Sequence, residues 1–169
     1  LQRRIVPAVL AGEQIAALAI TEPGAGSDVA RLRTSARRDG GDWVIDGEKT
    51  FITSGLRADW ITLAVRTGGP GASGISLIAV PGDAASLTRS PLAKMGWWCS
   101  DTAQLHFDGV RVPIDHLIGD EGTGFRLIMQ NFNSERLLMS AGAVAFAQVC
   151  LDEAIDWARQ RKTFGAALV

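Results

Sequence analysis

The spacing of apolar residues changes once along the chain, near Pro113. Upstream, short apolar or alternating runs are broken by Gly, Pro and Asp every 8–12 residues or so, the rhythm of a β-barrel or β-sandwich. Ile15–Ile20 is a fully apolar run. Thr34–Arg38 and Trp43–Asp46 form a hairpin pattern across Asp39-Gly40-Gly41. Gly47-Glu48 reads as a second turn and Lys49–Thr53 as the next strand. Trp60–Arg66, Ile75–Val80, Leu87–Leu92 and Gln104–Val110 complete seven or eight short strands, with Thr67–Gly74 as a Gly-rich loop. Downstream, Gly122-Thr123-Gly124 precedes a short helix over about Phe125–Asn131. Asn133 or Ser134 then caps a long helix reaching about Lys162. Leu137, Leu138, Ala141, Val144, Ala145, Leu151, Ile155 and Ala158 recur on it at helical spacing. Its small residues suit close helix–helix contact. Arg159, Arg161 and Lys162 complement the helix dipole at its end, and Gly165 is the expected stop. Residues 1–14 fit a helix end and a connection.

Composition narrows the classes. The chain has 169 residues, of which 47% are hydrophobic, enough for one domain and part of a second. A net charge of −1, with Lys and Arg scattered, points away from nucleic acid and anionic membranes. No uninterrupted apolar stretch reaches the roughly 18 residues of a membrane span, so none is expected. Leu1-Gln2-Arg3-Arg4 does not open a signal peptide. Cys99 and Cys150 make neither a disulfide framework nor a metal site, and fit reduced thiols in a cytoplasm-like compartment. His106 and His116 have no metal-ligand partners at useful spacing, so no metal is expected.

Candidate chemistry begins at Thr21-Glu22-Pro23-Gly24-Ala25-Gly26-Ser27-Asp28, directly after the first apolar run. A strand ending in such a turn offers backbone N–H groups and hydroxyls to a small ligand. Pro23 fixes one φ, and Gly24 and Gly26 permit values that other residues resist. The pattern is not a dinucleotide-binding fingerprint, since the third glycine is missing. Further along come Gly47-Glu48-Lys49-Thr50-Phe51-Ile52-Thr53-Ser54-Gly55, Lys94-Met95-Gly96-Trp97, Ser100-Asp101-Thr102, Phe107-Asp108-Gly109-Val110-Arg111-Val112-Pro113, Gly122-Thr123-Gly124-Phe125, Glu135-Arg136-Leu137 and Arg159-Gln160-Arg161-Lys162-Thr163-Phe164-Gly165. In this order the series resembles the acyl-CoA dehydrogenase family of flavoenzymes over nearly the whole chain.

The resemblance implies a β plus α fold: the end of an N-terminal helical domain over 1–14, a β-barrel middle domain over 15–113, and the first helices of a C-terminal bundle over 114–169. Family members are longer, so it also implies a fragment. The implied reaction is FAD-dependent α,β-dehydrogenation of an acyl-CoA thioester. A carboxylate removes the α-proton, the β-hydrogen leaves as hydride to the flavin, and electrons pass to an electron-transferring flavoprotein. An acyl-CoA oxidase, or a truncated non-catalytic relative that binds acyl-CoA or a partner, fits the same motifs. The implied location is the bacterial cytoplasm, or the mitochondrial matrix in a eukaryote.

By the same resemblance Leu18, Ile20 and Thr21 line the flavin, Ser27 lies at its substrate side, and Phe51 and Thr53 flank the ring. Phe51 stands where many members carry Trp; read alone, it is a core aromatic. Glu135 matches the catalytic base of long-chain and isovaleryl-type members, while other members place their base on a later helix. At a helix N-terminus its pKa falls, and burial raises it. Asn133 and Arg136 contact substrate or orient the base; Asn133 stands where the family has an acid and reads equally as a plain N-cap. Arg161, Thr163 and Phe164 match a motif that meets the pyrophosphate and adenine of FAD in a neighbouring subunit. Glu135 and Arg161 are 26 residues apart, about 39 Å along a helix, so one FAD does not reach both ends in one subunit. A homo-oligomer, dimer or tetramer, follows. Trp97 and Trp98 wall an acyl pocket or a domain contact.

Overall fold

The computed structural model describes all 169 residues. It divides into two compact units, Leu1–Leu127 and Ile128–Val169. The first opens with helix α1 (Gln2–Leu10). It continues through strands β1 (Ala16–Ala19), β2 (Ser35–Asp39), β3 (Asp42–Thr53), β4 (Trp60–Arg66), β5 (Ile75–Pro81), β6 (Leu87–Pro91), β7 (Thr102–Pro113) and β8 (Leu117–Ile118). The strand rhythm of the sequence is therefore real, and β4 has the expected limits.

The eight strands form one mixed sheet in the order β6-β7-β3-β2-β4-β5-β8, with β1 parallel beside β4. This path ends at β6 and β8 and does not return on itself, so the strands bear out a sheet-rich unit but not its closure into a barrel. Strands β2 and β4 meet in parallel through a single residue pair, Ser35 with Arg66. One apolar core nevertheless draws on both halves. Trp43, Ile45, Leu105 and Phe107 come from β3 and β7, and Ile61, Leu63, Ile78 and Val80 from β4 and β5. The sheet thus wraps this core without closing. Six consecutive residues of β5 are buried, which explains its unbroken apolar run.

The β2–β3 hairpin forms as expected, with Asp39 opposite Asp42 around Gly40-Gly41. Gly47-Glu48 does not reverse the chain. It lies inside the 12-residue strand β3, beside a bulge in the pairing with β7. Gly47 has φ 142°, and a Cβ there would come within 2.6 Å of the Thr34 Cα. The glycine marks a close backbone approach, a second meaning of Gly in a strand. Gly47→Ala is accordingly expected to destabilise the protein by about 2–3 kcal/mol, readable as a lower urea midpoint.

Helix α2 runs unbroken over Gly124–Gln160, 37 residues. The expected break and cap at Asn133-Ser134 are absent. These polar stretches are accommodated by side-chain bonds along the helix instead: Asn131 Nδ2 donates to Glu135 Oε1 at 2.6 Å, and Ser140 Oγ donates to the Arg136 carbonyl at 2.8 Å. The helix stops at Gln160, and Lys162 belongs to a terminal hairpin of β9 (Lys162–Thr163) and β10 (Ala166–Ala167). Phe164 and Gly165 form its two-residue turn, with φ of 54° and 85°. Gly165 is thus a hairpin residue, not a helix stop.

One further expectation changes. Helix α2 contains an 18-residue window of mean hydropathy 1.4 with few charges, so by length and composition it is long and apolar enough to cross a membrane. Scattered polar residues such as Gln148 interrupt the apolar run and conceal this from a search for unbroken stretches. Leu137, Leu138, Met139, Val144, Phe146, Val149, Leu151 and Trp157 are all exposed on it.

Candidate functional site

In the first unit the site is assembled from β1, the Gly-rich arch behind it, and the end of β3. Burial alternates along β1: Ala17 and Ala19 point into the core, and Leu18 is 37% exposed. The chain leaves β1 through Ile20, which is 5% exposed. The Ile20 side chain is therefore buried in the core. Glu22 and Ala25 then bond back to each other, N–H to carbonyl, at 2.9 and 3.1 Å, closing a tight turn over Pro23-Gly24. Gly24 and Gly26 do not use positive φ, contrary to the reading from their sequence. Space is open around them instead: a Cβ would meet nothing at Gly24, and at Gly26 only the Thr21 methyl at 3.8 Å. Ser27 and Asp28 are exposed, and Thr21 is half-buried.

Beneath this arch lies a buried ion pair that reading the sequence missed. Lys49 is fully buried, and its Nζ donates to Glu22 Oε1 at 2.8 Å and to the Ile20 carbonyl at 2.9 Å. Glu22 also accepts the Thr34 N–H at 2.9 Å on Oε1 and the Arg33 N–H at 2.7 Å on Oε2. Burial pushes the Glu22 carboxyl up. The Lys49 hydrogen bond and charge, with the Thr34 and Arg33 bonds, more than offset it and hold Glu22 below its ordinary range. Burial pulls the Lys49 ammonium down to about 8, against the opposing pull of Glu22. The sequence signal was a lone lysine in a strand whose next inward position, Ile52, is apolar. Its partner could not be read from the chain because Glu22 lies 27 positions away, in a loop.

A backbone bond then brings the arch to β3: the Thr50 N–H donates to the Thr21 carbonyl at 2.9 Å. Between Lys49 and Ile52 the pairing of β3 with β7 shifts register. Within that irregularity Phe51 has φ 59° and is 69% exposed. It is not a core aromatic. A bulky residue in the left-handed region is a strained exception that its surroundings must impose. Thr53 is exposed and Ser54 also has φ 59°. Leu18, Thr21, Ser27, Phe51 and Thr53 thus offer apolar surface edged by hydroxyl groups. This chemistry fits a flat aromatic ring system with polar edges, the character of an isoalloxazine. Trp97 and Trp98 stand out from the loop after β6, each 82% exposed.

The second unit carries the remaining candidates. Asn133, Glu135 and Arg136 are exposed on α2. Glu135 accepts the Asn131 amide, and the Arg136 guanidinium lies over the Phe132 ring at 5.5 Å. Helix α2 starts at Gly124, so Glu135 is not in its first turn and the N-terminal dipole does not act on it. Asn133 caps nothing. Arg161, Thr163 and Phe164 are exposed on and before the terminal hairpin.

Comparison with known proteins now defines the class. The acyl-CoA dehydrogenase middle domain matches residues 17–110, and the acyl-CoA dehydrogenase C-terminal domain matches residues 122–169. The chain belongs to the acyl-CoA dehydrogenase family. The long-chain specific acyl-CoA dehydrogenase of Rattus norvegicus mitochondria is 40% identical over 96% of this chain and 39% of its own. A crystal structure of a probable acyl-CoA dehydrogenase from Mycobacterium abscessus superposes with a TM-score of 0.93 and 54% identity, over 98% of this chain and 44% of that one. A glutaryl-CoA dehydrogenase from Mycobacterium smegmatis in complex with FADH2 superposes with a TM-score of 0.88 and 32% identity, over 99% and 42%. The chain spans about two fifths of the length of the curated relatives it matches.

Proposed function

We propose that the protein is an FAD-dependent acyl-CoA dehydrogenase, with residues 15–113 as its middle domain and 114–169 as the start of its C-terminal helical domain. The exposed, strained Phe51 beside the Gly-rich arch is the observation that carries this reading. Strain of that kind is held for presentation of a side chain, not for packing. When bound, FAD would supply a hydride acceptor for the β-hydrogen of the acyl thioester. Leu18 and Phe51 supply the apolar shelf for its ring, and the Thr21 and Thr53 hydroxyls bond its polar edge. Ile20 shapes the shelf through its backbone. Ser27 of the first unit is assigned to substrate binding, as are Asn133 and Arg136 of the second, and the Glu135 carboxylate is assigned to removal of the α-proton.

Arg161, Thr163 and Phe164 hold the pyrophosphate and adenine of the FAD in a neighbouring copy, which makes the enzyme a homo-oligomer, a dimer or tetramer. An Arg fork suits a diphosphate, and the exposure of these three residues at and just before the terminal hairpin supports the assignment. The exposed apolar surface of α2 is covered in the helical bundle and at subunit contacts, and does not enter a membrane. Electrons pass on to an electron-transferring flavoprotein, in fatty-acid β-oxidation. The corresponding location is the bacterial cytoplasm, or the mitochondrial matrix in a eukaryote.

A visible spectrum of the intact protein tests this. A bound-flavin spectrum that bleaches on anaerobic addition of one member of an acyl-CoA panel is the expected result, and it identifies the substrate. A colourless protein that FAD does not reconstitute overturns the proposal. Rapid reoxidation in air, with slow transfer to an electron-transferring flavoprotein, turns the assignment to an oxidase.

A further inference from the structure

Two non-glycine residues within four positions, Phe51 and Ser54, share φ 59°, and the exposed Thr53 lies between them. The segment that follows is clasped from across the sheet by Asp101. The Asp101 carbonyl accepts the Ser54 N–H at 3.1 Å, and its Oδ2 accepts the Leu56 N–H at 2.8 Å. Its Oδ1 lies 2.8 Å from Arg57 Nε, near enough for ion pairing though not aligned as a hydrogen bond. The Asp101 side chain is 18% exposed and that of Arg57 56%, so the anchor is inside and the arginine lies over it. The arch is tight within itself too. The Gly55 N–H donates to the Ile52 carbonyl at 3.1 Å, and the Ala58 N–H to the Ser54 carbonyl at 2.9 Å. A Cβ on Gly55 would meet that of Ala103 at 2.7 Å. Residues 52–58 therefore have little room to relax, and one carboxylate uses both its oxygens to hold them.

We propose that Asp101 is a positioning residue for the flavin shelf. By fixing Ser54 and Leu56 against the start of β7, it holds Phe51 and Thr53 with aromatic surface and hydroxyl facing outward. It acts through these residues and touches neither cofactor nor substrate. This rests on the flavin reading above. It goes beyond that reading by naming what maintains the strain: a residue that the sequence offers only as part of a Ser-Asp-Thr turn.

The test compares wild type, Asp101→Ala and Asp101→Asn as intact protein. The readouts are the FAD dissociation constant, the fine structure of the flavin visible band, the midpoint potential of bound FAD, and urea unfolding of the flavin-free protein. Asp101→Ala is expected to weaken FAD binding about 10-fold, the loss of one or two charge-assisted bonds, with a blurred visible band and a displaced midpoint potential in the protein that remains folded. Asp101→Asn keeps an acceptor for the Leu56 N–H and is expected to restore all three. Lower urea stability with an unchanged flavin spectrum, potential and affinity in Asp101→Ala overturns the positioning role and leaves the flavin reading standing. A wild-type protein that binds no FAD overturns both. If Asp101→Ala does not fold, Asp101→Glu gives the same comparison, because it keeps the charge and moves both oxygens by one methylene.

Discussion

Glu135→Gln is expected to cut the reduction of bound flavin by acyl-CoA by about 10²–10⁴-fold, the usual contribution of a general base, while FAD binding stays as in wild type. The substitution is close to isosteric, and the Gln carbonyl still accepts the Asn131 amide that Glu135 accepts, so α2 is undisturbed. What disappears is a carboxylate able to take the α-proton. Anaerobic stopped-flow absorbance at the flavin band measures the loss. Reduction at a near-normal rate would move the base to the later helix used by other family members, and would reduce Glu135 to a polar surface residue. The flavin spectrum of the resting variant separates a chemical loss from a binding loss.

Lys49→Met is expected to destabilise the first unit by about 3–5 kcal/mol, the cost of leaving a buried charge without its partner. The ammonium bonds both Glu22 and the Ile20 carbonyl, so its removal leaves the Glu22 charge without a counter-charge and takes a donor from the Ile20 carbonyl. Adding Glu22→Leu to Lys49→Met should recover only part of the loss, because the Arg33 and Thr34 N–H groups then have no carboxylate to bond. Equilibrium urea unfolding of the single and double variants gives the coupling. The pair also has a pH signature. Glu22 is held below its ordinary 4.5, so its stabilising contribution is present above about pH 4.5. It is lost as pH falls through the lower folded value. In Lys49→Met this part of the acid dependence should shrink.

What was legible in the sequence follows from locality. Strand positions were readable because alternation and turn residues act over a few positions, and the β2–β3 hairpin announces itself in Asp39-Gly40-Gly41. The proposed ligand role of Thr21, Ser27, Phe51 and Thr53 was approachable only through the ordered motifs, since each residue alone looks ordinary. Features set by distant neighbours stayed hidden. Gly47 reads as a turn until Thr34 is seen pressed against it. Lys49 and Glu22 show no link in the sequence until the fold buries them together. Asn133-Ser134 carries a capping pattern that α2 overrides by bonding Asn131 to Glu135. The parallel meeting of β2 with β4 rests on the single pair Ser35 with Arg66, which no local pattern encodes.

The left-handed Phe51 has a consequence for any effort to harden this protein. At φ 59° a glycine has no Cβ to strain, and replacing Phe51 with one removes a backbone cost of order 1–3 kcal/mol without emptying any part of the core. Heat resistance and ligand presentation therefore favour different residues at the same codon. Variants sorted only for survival at high temperature would drift toward Gly or Asn there. They would lose the aromatic face while every routine measure of folding improved.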